Sequence, residues 1–346
     1  MITQPVQPAR HAPSGRPAAL LAMSAGLDAE LFAPEQRRRL DGLVSLLAEK
    51  AVPDLGAVPD AVAARVEILV TGWGAPRIDA EVLERMPGLR AIVHTAGTVA
   101  PFVDRAVWER EEIVVCSAAQ ANAVPVAEYT LAHILLAGKR SLARSADHRR
   151  ARGREGAWTP TGETGNYGAV VGLIGASRTG RLTAERLQPF DLEVLVHDPF
   201  VGAEEIAALG ARKVGLEEIF RAGDVVSLHA PDVPSTRGMI TGAHFALMQD
   251  GSTFINTARP ALVDEDALRA ELVSGRISAV LDVHDDLAPD DPLWDVPTVE
   301  LTPHIAGSQG NELHRMAESA LGELRRLARG EAPHHALDRN RLDITA

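Results

Sequence analysis

The sequence predicts an α/β protein of two domains built on parallel sheets. Short apolar runs of strand length alternate with helical patterns, and the alternation occurs twice along the chain. That is the pattern expected where helices cover both faces of a parallel sheet. The length, 346 residues, leaves room for two ordinary domains. Residues Ala169 to Asp198, AVVGLIGASRTGRLTAERLQPFDLEVLVHD, read as a strand, a glycine turn, a helix and a second strand ending in an acid.

Taken in order, the first seventeen residues lack the apolar core of a signal peptide and are expected to form a disordered leader. Strands are expected at Ala18 to Met23, Val66 to Val70, Ala91 to His94 and Ile113 to Cys116. Helical patterns lie between them at Pro34 to Glu49, Asp79 to Met86 and Phe102 to Arg110. Val124 to Leu142 reads as a further helix, with Pro125 placed to begin it. Ala143 to Gly168 is basic and Gly-rich, and carries Arg149, Arg150, Arg152, Arg154 and Trp158. A solvated face or a subunit contact explains these arginines better than phosphate binding.

The second series begins at Ala169. Its strands are expected at Val170 to Ile174, Glu193 to His197, Val225 to His229, Thr253 to Thr257, Ala279 to Val283 and Thr298 to Thr302. Helices are expected at Thr179 to Leu187, Leu216 to Ala222, Asp264 to Ser274 and Gln309 to Ala328.

Composition narrows the function classes. Apolar residues are 46% but aromatics only 4%, so the cores are Ala, Leu and Val, as in covered parallel sheets. A net charge of −12 argues against general nucleic-acid or membrane-surface binding. It leaves small anionic ligands open, because a site needs only one or two local cations. No apolar run is long enough to span a bilayer. Cys116 is the only cysteine, which fits a reducing cytoplasm, and in IVVCSA it reads as buried filler. No metal is expected.

The glycine unit carries the first chemistry. A helix N-terminus after a tight turn offers unpaired N–H groups and a dipole to a pyrophosphate. Asp198 lies 18 residues beyond Gly180, where a carboxylate can accept both ribose hydroxyls and repel a 2′-phosphate, favouring NAD over NADP. The turn reads Gly175-Ala176-Ser177-Arg178-Thr179-Gly180, so Ser177 stands where the usual pattern has its second glycine. A small hydroxyl residue is expected to fit there and donate a hydrogen bond of its own.

Three further segments fall at the carboxyl ends of expected strands, where open α/β sheets bind ligands. FINTARPALVDEDAL places Arg259 directly after a strand, a fork of donors matched to a carboxylate. VLDVHDDLAPDDPLW clusters Asp282, Asp285 and Asp286, some of which are expected to meet Arg259 or a histidine. LTPHIAGS places His304 before small residues, and histidine exchanges protons near neutral pH. Each alone is more often a surface ion pair, a solvated acidic loop or a structural histidine.

Together, HTAGTV, ANAVPVAEYTLAHILLAGKR, VGLIGASRTG, HDP, LHAP, NTAR-ALVDEDAL, LDV and TPHIAG resemble the D-isomer-specific 2-hydroxyacid dehydrogenase family over roughly residues 90 to 330. The resemblance implies two Rossmann-like or flavodoxin-like domains with doubly wound parallel sheets. The NAD-binding domain (125–304) is inserted in a discontinuous substrate domain (18–124 with 305–346). It implies hydride transfer between nicotinamide and a small 2-oxo or (R)-2-hydroxy acid in a cytoplasmic homodimer. His304 would be the acid/base. Arg259 and the backbone of Gly97, Thr98 and Val99 would bind the carboxylate. Gly175, Ser177, Arg178, Thr179, Gly180 and Asp198 would hold the pyrophosphate and ribose. His229, Thr257, Ala258, Arg259, Asp282, His304 and Gly307 would line the nicotinamide side.

Three departures from the family pattern stand out. Ser177 replaces a glycine. Pro260 replaces the glycine usual after the arginine, fixing φ and removing an N–H. The glutamate that bonds the histidine is missing, and Asp286, with Asp285 second, is expected to take its place. These departures leave open an NAD(H)-binding regulatory or scaffold protein on the same fold. Ala96 stands where phosphite dehydrogenases place a lysine, and HDDLAP lacks the glutamine of formate dehydrogenases. Trp73 and His94 are either packing residues or specificity determinants.

Overall fold

The computed structural model describes residues 15–152 and 165–339. The expected leader lies almost entirely outside the described residues, as do Arg154 and Trp158. The chain divides into two compact units. Among the described residues, the first comprises 15–122 with 308–339, and the second 123–307.

The first unit carries five strands: β1 Ala18–Ala22, β2 Ser45–Leu46, β3 Ile68–Thr71, β4 Ala91–His94 and β5 Val114–Ser117. They are parallel, in the order β2-β1-β3-β4-β5. Successive side chains of a strand point to opposite faces, and both faces are buried. Ala19, Leu21, Ile68, Val70, Ala91 and Val93 pack in one core with Met316, Ala320, Leu321 and Leu324. Those last four belong to the helix Leu313–Ala328, which the chain forms on its return. Leu20, Leu69, Ile92 and Val115 face the other core, with Val82, Leu83 and Val107. Asp79 and Asp104 cap the short helices Ala80–Arg85 and Arg105–Glu109 through their carboxylates.

Among its described residues the second unit carries seven parallel strands: β6 Ala169–Ile174, β7 Leu192–His197, β8 Arg212–Lys213, β9 Val225–Leu228, β10 Thr253–Asn256, β11 Ser278–Leu281 and β12 Val299–Leu301. Their order is β12-β11-β10-β9-β6-β7-β8. The direction of winding reverses between β6 and β9, so the carboxyl ends of these two strands flank the switch point of a doubly wound sheet. Because every strand is parallel, all seven carboxyl ends lie along one edge. Both units are thus doubly wound α/β folds.

Several elements depart from expectation. The helix read as Val124 to Leu142 runs from Ala119 to Ala137, so Pro125 lies inside it rather than at its start. Ser117 Oγ accepts the Ala119 N–H at 3.1 Å and marks the true beginning. The alanine-rich first turn has no apolar periodicity, so the proline was the stronger signal for a start. Arg140, in the left-handed region at φ 47°, separates this helix from a second, Ser141–Ala151, most of which lies in the stretch read as basic and Gly-rich. The helix from Pro34 stops at Leu43, because β2 follows at once. The strands β2 and β8 escaped notice, since two partly exposed residues leave no alternation to read. Residues 335–337 follow β5 antiparallel, with Leu337 N donating to Val115 O at 2.8 Å. No helix among the described residues is long and apolar enough to cross a membrane.

Candidate active site

The second unit's binding edge begins at the glycine turn after β6. Gly175 has φ +98°, and a Cβ there would lie 2.7 Å from Ala230 N. A Cβ on Gly180 would lie 2.0 Å from Gly175 O, so the helix Arg178–Leu187 meets the turn only because that residue is bare. Ser177 is the N-cap, and its Oγ accepts the Gly180 N–H at 3.3 Å. Within the protein this hydroxyl acts as an acceptor at the start of the helix. Arg178 and Thr179 form the first turn, where a helix attracts anions. The half-buried Asp198 follows β7, and its Oδ2 accepts the Ala176 N–H at 2.8 Å. Its other oxygen accepts the Phe200 N–H at 2.8 Å. Asp198 is thus tied to the glycine turn itself. A backbone-lined turn, a helix N-terminus and a fixed carboxylate fit a dinucleotide.

Next along the edge come His229 after β9 and Thr257 to Arg259 after β10. His229 is buried, bonded to Ser227 Oγ at 3.0 Å, and burial pushes its pKa down to about 4. It is neutral at pH 7 and serves no acid role. Thr257 is buried, with its hydroxyl 3.3 Å from that of Thr130. Ala258 donates to Asn256 Oδ1 at 3.0 Å, and its carbonyl accepts from Arg259 Nη1 at 2.6 Å. Arg259 is half-buried and extended (φ −151°), as the residue before a proline prefers. Pro260 opens the 3-10 turn Pro260–Leu262, where a missing N–H costs nothing. Arg259 makes no ion pair with a carboxylate among the described residues, although an acidic partner was expected.

Asp282 after β11 organises the His304 loop. It is 1% exposed. Its Oδ1 accepts from Thr302 Oγ1 and from Ile305 N, each at 2.7 Å, and its Oδ2 accepts from Ala306 N at 2.9 Å. Its backbone carbonyl accepts the His304 N–H at 2.9 Å. His304 takes φ +57°, a strained conformation that these surrounding bonds hold. The His304 pKa is lowered by its enclosure and by the nearby Arg259 guanidinium, while Asp282 raises it. Asp286 was the expected partner of His304. It is instead exposed and makes no hydrogen bond to the imidazole, so Asp282 is the acid that acts on His304. Asp285 donates its N–H to Glu265 at 3.4 Å and does not replace it. The loop after β11 carries these two acids away from the ring. Gly307 closes the second unit.

In the first unit, the loop Gly97-Thr98-Val99 follows β4. Ser117 Oγ donates to the carbonyls of Ala96, at 3.2 Å, and Gly97. The N–H groups of Gly97, Thr98 and Val99 make no hydrogen bond among the described residues. His94 is buried against Thr71 Oγ1 at 3.0 Å and against the Phe102 ring, and its pKa falls to about 4, so it packs the core. Trp73, after β3, is 43% exposed.

The family model described as "D-isomer specific 2-hydroxyacid dehydrogenase, NAD binding domain" matches residues 136–306. The chain is 36% identical over 256 residues to the (S)-sulfolactate dehydrogenase of Chromohalobacter salexigens, covering 72% of this chain and 81% of that one. It is 32% identical over 281 residues to the D-3-phosphoglycerate dehydrogenase of Mycobacterium tuberculosis, covering 80% of this chain. It spans about half the length of that relative, 51%. Among solved structures it resembles the D-lactate dehydrogenase from Aquifex aeolicus complexed with NAD and lactic acid. There the TM-score is 0.69 and the identity 26%, over 90% of this chain and 96% of that one.

Proposed function

Because the chain belongs to the D-isomer-specific 2-hydroxyacid dehydrogenase family, with NAD as its cofactor, we propose that it interconverts a small 2-oxo acid and the (R)-2-hydroxy acid. Bound NADH supplies the hydride in the reductive direction. Arg259, with no acidic partner among the described residues, binds the substrate carboxylate through its fork of donors. The protonated His304 gives a proton to the carbonyl oxygen as charge develops there. The observation that carries this reading is a half-buried, unneutralised guanidinium beside a histidine, both at the carboxyl edge of the dinucleotide-binding sheet.

The test is NADH oxidation with glyoxylate, hydroxypyruvate, pyruvate, bulkier 2-oxo acids, and the phosphorylated and sulfonated analogues. His304→Gln and Arg259→Gln are each expected to lower kcat/KM by about 100-fold or more. Tight NADH binding with no turnover of any acid would favour the regulatory reading, for which Pro260 and the absent glutamate speak. A homodimer is part of the same proposal, supported by Leu136, 49% exposed on the helix Ala119–Ala137. Sedimentation equilibrium reads it directly.

A further inference from the structure

A hydrogen-bonded chain runs from the helix Ala119–Ala137 to the His304 loop. Tyr129 Oη lies 3.0 Å from Thr302 Oγ1, and Thr302 Oγ1 donates to Asp282 Oδ1 at 2.7 Å. The direction of this chain is forced. A threonine hydroxyl has one proton, and the carboxylate takes it. Tyr129 must therefore be the donor to Thr302. Burial, with the charges of Asp282 and Glu300 nearby, raises the Tyr129 pKa, so the phenol keeps its proton through the working pH range.

We propose that Tyr129 and Thr302 are positioning residues for His304, acting through the Asp282 carboxylate. Donation from tyrosine to threonine to carboxylate polarises each bond in turn. It fixes Asp282 so that its two oxygens stay aimed at the N–H groups of Ile305 and Ala306, the residues that follow His304. The same bonds keep the anionic charge where it favours the protonated imidazole. The bonds of this inner carboxylate all come from the 302–306 segment, and the tyrosine supplies support from the opposite element.

The charged and titratable groups around this cluster are few. Arg259 approaches His304 from the segment after β10. His133 lies on the Tyr129 helix, its ring tilted at 48° against the Tyr129 ring, with its Nδ1 3.6 Å from Glu300 Oε2 on β12. Burial lowers the His133 pKa, and the charges of Glu300 and then Asp282 oppose that shift.

The proposal rests on the role given to His304, but its test does not need turnover. Histidine-labelled protein is titrated by NMR, with the His304 signal assigned by its loss in His304→Gln. Thr302→Val and Tyr129→Phe are expected to lower the His304 pKa, by about half a unit or more for the threonine and less for the tyrosine. Thr302→Ser, which keeps the hydroxyl, is expected to titrate like the parent. Where a 2-oxo acid is turned over, kcat for its reduction falls about tenfold in Thr302→Val while KM for NADH stays within about twofold. A His304 titration identical in Tyr129→Phe and the parent, or a Thr302→Ser titration displaced as far as that of Thr302→Val, overturns the proposal. Should Thr302→Val fail to fold, the comparison of Tyr129→Phe with the parent decides alone.

Discussion

His304 feels two opposite charges, and in the proposed reaction a carboxylate bound at Arg259 would change their balance. Before the acid binds, Arg259 and enclosure hold the His304 pKa below its ordinary value, and Asp282 opposes them only in part. A carboxylate on Arg259 cancels the guanidinium's effect, so the imidazole pKa rises in the complex. The proposed reduction needs the protonated ring, so its rate is expected to fall as pH rises through that pKa. The descending limb of kcat is therefore expected at higher pH than that of kcat/KM for the 2-oxo acid. Coincident limbs in a full pH series would remove Arg259 from the carboxylate's side. Substitution separates the two candidate acids in the same way. Asp282→Asn leaves two N–H donors and a hydroxyl facing an amide, and is expected to lower kcat/KM by about 10- to 100-fold. Asp286→Ala is expected to stay within about twofold of the parent, as an exposed side chain with no bond to the ring should.

At the scale of elements, the glycine turn shows how one backbone contact positions a cofactor site. Gly180 lies in the first turn of its helix, where alanine would otherwise stabilise. Here an added methyl would lie 2.0 Å from the Gly175 carbonyl, so the helix would have to lift away from β6. Gly180→Ala is expected to weaken NADH binding by about tenfold or more, read as fluorescence titration, through displacement of the helix N-terminus from the pyrophosphate. Ser177→Ala removes the N-cap bond and is expected to cost about 1 kcal/mol, read from urea unfolding. The helix Ala119–Ala137 carries a related lesson. Pro125 cannot donate to a carbonyl four residues back, yet the helix continues through it, with its residues Ala123, Ala127 and Thr130 buried. Tertiary burial overrides a local breaker.

At the scale of the whole molecule, the first unit is made from both ends of the chain. Ser308 N donates to Asn122 Oδ1 at 3.0 Å, joining the point where the chain leaves this unit to the point where it returns. The returning helix Leu313–Ala328 supplies Leu313, Met316, Ala317, Ala320, Leu321, Leu324 and Leu327 to one face of the five-stranded sheet. Burying a large aliphatic side chain is worth roughly 1.5 to 3 kcal/mol, so the joint removal of these leucines and the methionine is comparable with the stability of a typical domain. A chain ending at Gly307 is expected to lose the first unit while the second still binds NADH. Limited proteolysis with a thermal-shift assay checks this, and a fragment that resists protease across residues 15–122 would contradict it.

Much of this protein is legible along the chain. The strands β1, β3 to β7 and β9 to β12 are legible as mostly apolar short runs, and the buried ones among them, such as β1, β3 and β4, carry almost no polar residue that could suggest an alternation. The glycine turn, Asp198, Arg259 and His304 are legible because each follows such a run directly, and chemistry at a strand's carboxyl end is local in sequence. What the sequence by itself determined, then, is two parallel-sheet domains and a row of polar groups at their strand ends. The tertiary structure alone decided which acid serves His304. Asp282 reaches the loop 302–306 across a strand pairing some twenty residues away, while the nearer-looking Asp286 turns to solvent. It also decided the direction of the Tyr129–Thr302–Asp282 chain, whose ends lie on different elements. Hydrogen bonds between distant residues depend on register and packing, and neither leaves a periodic mark on a single chain.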